Sequence, residues 1–150
     1  MFTLHVVCMG NLCRSPMAAA LFRARLPADR CAVLSVGLVA QPGRQVAPLA
    51  VEVLQAHGLP VPVEAPRQFD PVAVGDDDLV LAMQYRHVQA LRALVPQARA
   101  RIQLLGRWMS PREIDDPMGG GVEDFERAFA RIAVCVDQWC MRDRRLSTQM

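Results

Sequence analysis

Phe2-Thr3-Leu4-His5-Val6-Val7-Cys8-Met9-Gly10-Asn11-Leu12-Cys13-Arg14-Ser15-Pro16 opens the chain, and its reading decides the architecture. Phe2 to Val7 is short and apolar and runs into a Gly-Asn turn, the pattern of a buried strand. Ser15 then suits a helix N-cap and Pro16 the first helical position, so a helix is expected over Met17 to Leu26. Strand, glycine-containing loop and helix follow one another with no spacer.

The same alternation continues along the chain. Cys31 to Val36 reads as a second strand ended by Gly37. Val46 to His57 reads as a helix, with Gly58 as its C-cap residue. Leu79 to Met83 is a third strand, introduced by Asp76, Asp77 and Asp78. Arg86 to Leu94 is a helix stopped by Pro96, and Ile102 to Leu105 is a short fourth strand. Phe125, Phe129, Ile132, Val136 and Trp139 recur at spacings of four, three, four and three, one apolar face of a last helix. Strands alternating with helices imply an α/β fold: a single domain over 1–150, with a parallel sheet of about four strands and helices on both faces. In such folds a ligand sits beyond the carboxyl ends of the strands. The loop after the first strand is therefore where chemistry is expected.

Bulk properties narrow the function classes. The chain has 150 residues, the size of one ordinary domain. Hydrophobic residues make up 52% and charged residues 21%, enough for a packed core. Its 17 basic and 15 acidic residues leave a net charge of +2, too balanced to argue for nucleic acid or an anionic membrane surface. No apolar run approaches the roughly 20 residues of a membrane span. Met1 to Val7 lacks the charged start of a signal peptide, so a cytoplasmic location is expected, without membrane insertion. The five cysteines (8, 13, 31, 135 and 140) are an odd number with no secretion signal, which argues against a disulfide framework. His5, His57 and His87 are scattered and read as structural or surface residues.

The loop Cys8-Met9-Gly10-Asn11-Leu12-Cys13-Arg14-Ser15 places cysteine and arginine with five residues between them. A loop entering a helix N-terminus turns backbone N–H groups inward and cradles an anion. Gly10 and Asn11 tolerate left-handed backbone conformations. Arg14 offers a planar fork of donors that matches two phosphate oxygens. Both the N–H dipoles and the guanidinium favour a thiolate at Cys8, the nucleophilic form of cysteine. Ser15 can donate a hydrogen bond to that sulfur. A phosphocysteine route also needs an acid for the leaving oxygen, and Glu113-Ile114-Asp115-Asp116-Pro117 offers candidates. The residue before proline is held extended, which lets Asp116 project from a rigid loop, although Asp-Asp-Pro is also an ordinary turn.

Val7 through Ala18 resembles the signature of low-molecular-weight protein tyrosine phosphatases. The resemblance continues through Ser35-Val36-Gly37, Ala65-Pro66-Arg67-Gln68, Asp78 through Met83, and Asp116-Pro117, and so covers nearly the whole chain in order. It implies Cys8 as nucleophile, Arg14 as phosphate clamp and Asp116 as general acid and base. Met9, Gly10, Asn11, Leu12, Cys13 and Ser15 would form the substrate-binding loop, with Asn11, Ser15 and Ser35 in the hydrogen-bond network that shapes it. Cys13 would be either a reversible disulfide partner for Cys8 or a small core residue. The family uses no metal and no organic cofactor. The later motifs most resemble the bacterial branch associated with capsule and exopolysaccharide export, which implies a phosphotyrosine protein as substrate and a bacterial tyrosine kinase as partner.

Three departures stand out. Met118 occupies the place of an aromatic that packs beside the substrate ring, Glu64 that of a frequent histidine, and Ala19 that of a usual glutamate. Three other classes compete. A thioredoxin-coupled arsenate reductase uses the same loop but needs further cysteines near the third strand, and Leu81 through Pro96 contains none. A protein arginine phosphatase has threonine where Leu12 stands, and a bulky apolar residue there favours a phenyl ring. A non-catalytic phosphotyrosine-binding module would not need Cys8, Arg14 and Asp116 together.

Overall fold

The structure, a computed structural model, describes residues 1–41, 43–62 and 64–147. Four strands form one sheet: β1 (Phe2–Cys8), β2 (Cys31–Gly37), β3 (Leu79–Ala82) and β4 (Ile102–Leu104). All pairings are parallel and the spatial order is β2-β1-β3-β4. Four helices connect and cover them: α1 (Arg14–Arg25), α2 (Pro48–Ala56), α3 (Tyr85–Leu94) and α4 (Val122–Arg142).

Alternation along the strands builds two cores. Leu4, Val6, Leu79 and Leu81 face α1, α2 and α4, where Met17, Phe22, Leu54, Phe125, Ile132 and Trp139 are buried with them. Val7, Val36, Val80 and Ala82 face the other way and pack with Val88 and Leu91 of α3. Helices therefore lie on both faces, as the strand-helix alternation implies. No helix among the described residues is long and apolar enough to cross a membrane.

The chain leaves β1 in one direction for β2 and later returns on β1's other side as β3. The strand order thus reverses at β1, and the loops leaving β1 and β3 diverge around a crevice at the carboxyl edge. Both loops supply residues to the site described below.

Local differences from the sequence reading are small and physical. Short 3₁₀ turns at Pro71–Ala73 and Pro96–Arg101 carry no apolar periodicity and escape pattern reading. Gly58 adopts φ 70°, with His57 as the capping residue before it, so the glycine serves the left-handed position that ends α2. Helix α1 begins at Arg14, and its N-cap is Cys13 rather than Ser15, with no side-chain cap bond. Ser15 is unavailable as a cap because its hydroxyl is turned into the loop, toward Cys8 and Asn11.

At the opposite edge of the sheet, Asp78 locks the start of β3 to β1. Its carboxylate meets His5 Nε2 at 2.9 Å and accepts from the Thr3 N–H at 2.9 Å and the Gly75 N–H at 2.8 Å. Burial opposes ionisation of this carboxyl, but the His5, Gly75 and Thr3 hydrogen bonds outweigh it and hold the group below its ordinary value. His5 is a structural residue, as expected. His57, half-exposed, contacts Glu126 at 2.9 Å and stacks on Phe129.

Candidate active site

The loop from Cys8 to Arg14 is held by its carbonyls. Leu38 N–H donates to the Cys8 carbonyl at 3.0 Å, Val39 N–H to Met9 at 2.8 Å, and Ala47 N–H to Leu12 at 2.8 Å. The N–H groups of Met9 through Cys13 have no acceptor among the described residues. Carbonyls tied outward and N–H groups left inward make a concave set of donors at a helix N-terminus, the arrangement that binds an anion.

Asn11 is the hub of this shape. Its φ is 57°, a left-handed backbone that asparagine tolerates better than most residues. Its Nδ2 donates to Ser15 Oγ at 2.7 Å and to Ser35 Oγ at 2.6 Å, and its Oδ1 accepts from the Arg67 N–H at 2.8 Å. The side chain is buried, so these bonds replace water. Gly10, expected to share the left-handed conformation, does not adopt it, because Asn11 alone makes the reversal. The Ala65-Pro66-Arg67-Gln68 stretch finds its role here. Arg67 offers its backbone N–H to Asn11 and its carbonyl to Gly37 N–H at 2.8 Å, while Gln68 Nε2 donates to the Leu38 carbonyl at 2.6 Å. Glu64 stands outside this network, exposed and 3.7 Å from Arg23, so its replacement of the family histidine leaves the Asn11 cluster closed.

Gly37 ends β2 directly beneath the loop. A Cβ there would lie 2.8 Å from the Asn11 nitrogen and 2.9 Å from both the Gly10 carbonyl carbon and the Met9 oxygen. All three are backbone atoms of the cradle and cannot swing away. Gly37→Ala is expected to cost about 1–3 kcal/mol of stability by overpacking and to lower activity as well. Chemical denaturation and steady-state kinetics on one preparation check both parts. Unchanged kinetics would show that the loop tolerates displacement.

Cys8 is 2% exposed at the end of β1, with Sγ 3.0 Å from Ser15 Oγ. Ser15 accepts from Asn11 and has a single hydroxyl proton, which can go to the Cys8 sulfur or to the Val36 carbonyl at 3.3 Å. A thiolate at Cys8 draws that proton to itself. Cys13 is also buried. Burial foremost, then the negative charges of Cys8 and Asp116, pushes its thiol well above the ordinary range.

Arg14 is 1% exposed, an uncommon place for a guanidinium. Its Nη1 donates to Gln84 Oε1 and to the Ile114 carbonyl, each at 2.9 Å. Nη2 lies 3.7 Å from Asp116 Oδ2, and Nε is buried with no partner. Nη1 is thus fastened to the loops after β3 and β4, Nη2 faces the Asp116 carboxylate, and Nε is left without a partner. Gln84 and Ile114 are site residues that sequence reading passes over, because neither residue type signals chemistry by itself. Ile114 also donates its N–H to the Met83 carbonyl at 3.0 Å, pinning the acidic loop to the end of β3.

Asp116 is exposed at the mouth of the site. Its Oδ1 accepts from the Met118 N–H at 3.0 Å and lies 3.5 Å from Cys13 Sγ. Asp115, next to it, is exposed as well, and both line a cleft with Arg127 and Arg131 of α4. Only Asp116 has contacts with Arg14 and Cys13. His87, on the first turn of α3, is fully buried, and neither ring nitrogen has a partner. Burial first, then the Arg14 and Arg86 charges, holds its pKa down to about 4 against the pull of Glu113 and Asp116, so the ring is neutral at ordinary pH. Of the two readings open for that residue, structural or surface, its burial beside Arg14 fits the structural one.

Comparison with known proteins follows the same line. A family model described as low molecular weight phosphotyrosine protein phosphatase matches residues 3–149. The probable low molecular weight protein-tyrosine-phosphatase EpsP of Ralstonia solanacearum is 38% identical over 144 residues, covering 96% of this chain and 97% of that one. The structure of Vibrio vulnificus Wzb in complex with benzylphosphonate superposes with a TM-score of 0.83 at 27% identity, covering 92% and 96% of the two chains. The YwlE arginine phosphatase from Geobacillus stearothermophilus gives 0.79 at 29% identity, covering 92% and 90%. With its signature loop built as an anion cradle and the family model spanning almost every residue, this chain belongs to the low molecular weight phosphotyrosine protein phosphatase family.

Proposed function

We propose that the protein hydrolyses protein phosphotyrosine through a phosphocysteine on Cys8, with Arg14 clamping the phosphate and Asp116 serving as acid and then base. The observation that carries this reading is Arg14. A buried guanidinium with one edge fastened and Nε unanswered, beside a loop of unanswered N–H groups, is built to receive two oxygens of a phosphate. Met9, Gly10, Asn11, Leu12 and Cys13 supply the N–H cradle, and Ser15 the hydroxyl on the sulfur.

The steps balance with these groups. The Cys8 thiolate attacks phosphorus in line, the bond to the ester oxygen breaks, and Asp116 gives that oxygen its proton. A water then loses a proton to Asp116 and attacks the phosphocysteine, and the S–P bond breaks. The released thiolate is received by the Ser15 hydroxyl and the loop N–H groups. Arg14 and the cradle stabilise the charge on the equatorial oxygens in both steps. The reading assigns the phosphatase domain to the whole chain, 1–150.

A protein phosphotyrosine substrate, an opposing bacterial tyrosine kinase and a setting in exopolysaccharide export belong to the same reading, on the strength of the branch resemblance. Cytoplasmic residence belongs to the same reading. Leu12, partly exposed in the loop, favours a phenyl ring over a guanidine. The test is purified protein against phosphotyrosine peptide, phosphoarginine and arsenate. Turnover of the phosphotyrosine peptide far above the other two is expected. Preference for phosphoarginine would replace the tyrosine reading by that of the YwlE type.

A further inference from the structure

The place taken in the family by an aromatic after Asp-Pro is Met118, which is 40% exposed. The only tyrosine of the chain is Tyr85, 54% exposed. It lies on a different element, the first turn of α3, at the carboxyl edge of the sheet where the anion cradle opens. The residue before it, Gln84, holds Arg14 Nη1 at 2.9 Å. Its own N–H donates at 2.7 Å to Glu113 Oε2, three residues before Asp116. Tyr85 is therefore bracketed by the arginine and the acid loop. Cα–Cβ bonds in a helix tilt toward its N-terminus, so the first position of α3 starts its side chain toward this edge. Val88 and Leu91 of the same helix are buried against the sheet, whereas Tyr85 is not needed there.

We propose that Tyr85 is a substrate-contacting residue that supplies the aromatic wall of the site, packing against the phosphotyrosine side chain or its flanking peptide in the role that Met118 leaves vacant. The proposal rests on the phosphotyrosine reading above. An exposed ring gains by covering a second aromatic surface once substrate arrives. Because Tyr85 touches neither phosphorus nor leaving oxygen, its effect falls on binding of the organic part and not on the chemical steps.

The experiment compares Tyr85→Ala and Tyr85→Phe with the parent on a phosphotyrosine peptide, with inorganic phosphate as a competitive inhibitor. Tyr85→Ala is expected to raise KM for the peptide roughly two- to tenfold, the range for an aromatic pair, with kcat and the inhibition constant for phosphate unchanged. Tyr85→Phe should restore the parent KM, because the ring and not the hydroxyl does the packing. An unchanged peptide KM in Tyr85→Ala overturns the proposal. So does a parallel rise in the phosphate constant, which would mean that the substitution disturbs Arg14 through Gln84. Absence of peptide turnover in the parent protein would instead overturn the phosphatase reading, so the two failures are distinguishable.

Discussion

Cys8→Ser abolishes hydrolysis while leaving the fold and oxyanion binding in place: this is the largest effect the site predicts. Serine is not ionised near neutral pH and cannot supply the thiolate that attacks phosphorus. The substitution is small, and the residue is held at the end of β1 by a strand register that runs through Gly37. The cradle's carbonyl ties and the Arg14 fastening do not involve the sulfur, so the anion site should survive. Kinetics with a phosphotyrosine peptide, phosphate binding by calorimetry and a thermal melt check the three parts. Labelled phosphate trapped on any residue other than Cys8 in the parent enzyme would show that the nucleophile is misassigned.

Asp116→Asn should slow hydrolysis roughly 10²–10⁴-fold, the usual range for losing a general acid. Asp115→Asn should change it little. The family resemblance and the position before Pro117 already select Asp116 over its neighbour, and its contacts support that choice. Both carboxylates line the cleft beside Arg127 and Arg131, but only Asp116 also stands 3.7 Å from Arg14 Nη2 and 3.5 Å from Cys13 Sγ. The Asp116 deficit should shrink for an ester whose leaving group is already a stable anion, since that oxygen needs less protonation. Measuring both variants on a good and a poor leaving group separates the acid role from a positioning effect. Equal losses on the two esters would remove Asp116 from the proton transfer, and a larger loss in Asp115→Asn would transfer the role to its neighbour.

The strand, loop and helix at the N-terminus, the parallel sheet with helices on both faces, and the placement of chemistry at Cys8 to Ser15 are all readable along the chain. Their signals are local: an apolar run, a Gly-Asn turn, a Ser-Pro helix start, and one apolar face on α4. Even the acid could be narrowed to Asp116, because a proline restricts the geometry of the residue before it and the family resemblance points to the same position. Reading by type misplaces Ser15, since a serine before proline looks the same whether its hydroxyl caps a helix or faces a sulfur. The difference lies in Asn11, whose amide fills the space on the other side of that hydroxyl.

What tertiary structure alone decides is how distant segments complete the loop. Arg14 is aimed by Gln84 and by the Ile114 carbonyl, 70 and 100 residues away along the chain. Asn11 is held by Ser35 and by the Arg67 backbone, and Gly37 is required because the cradle's own backbone lies against it. A main-chain carbonyl or N–H carries no residue identity, and glutamine is common on any surface, so no pattern in the sequence marks these partners. They come together because a parallel sheet gathers the carboxyl ends of β1, β2 and β3 at one edge, where each strand delivers its following loop to the same crevice.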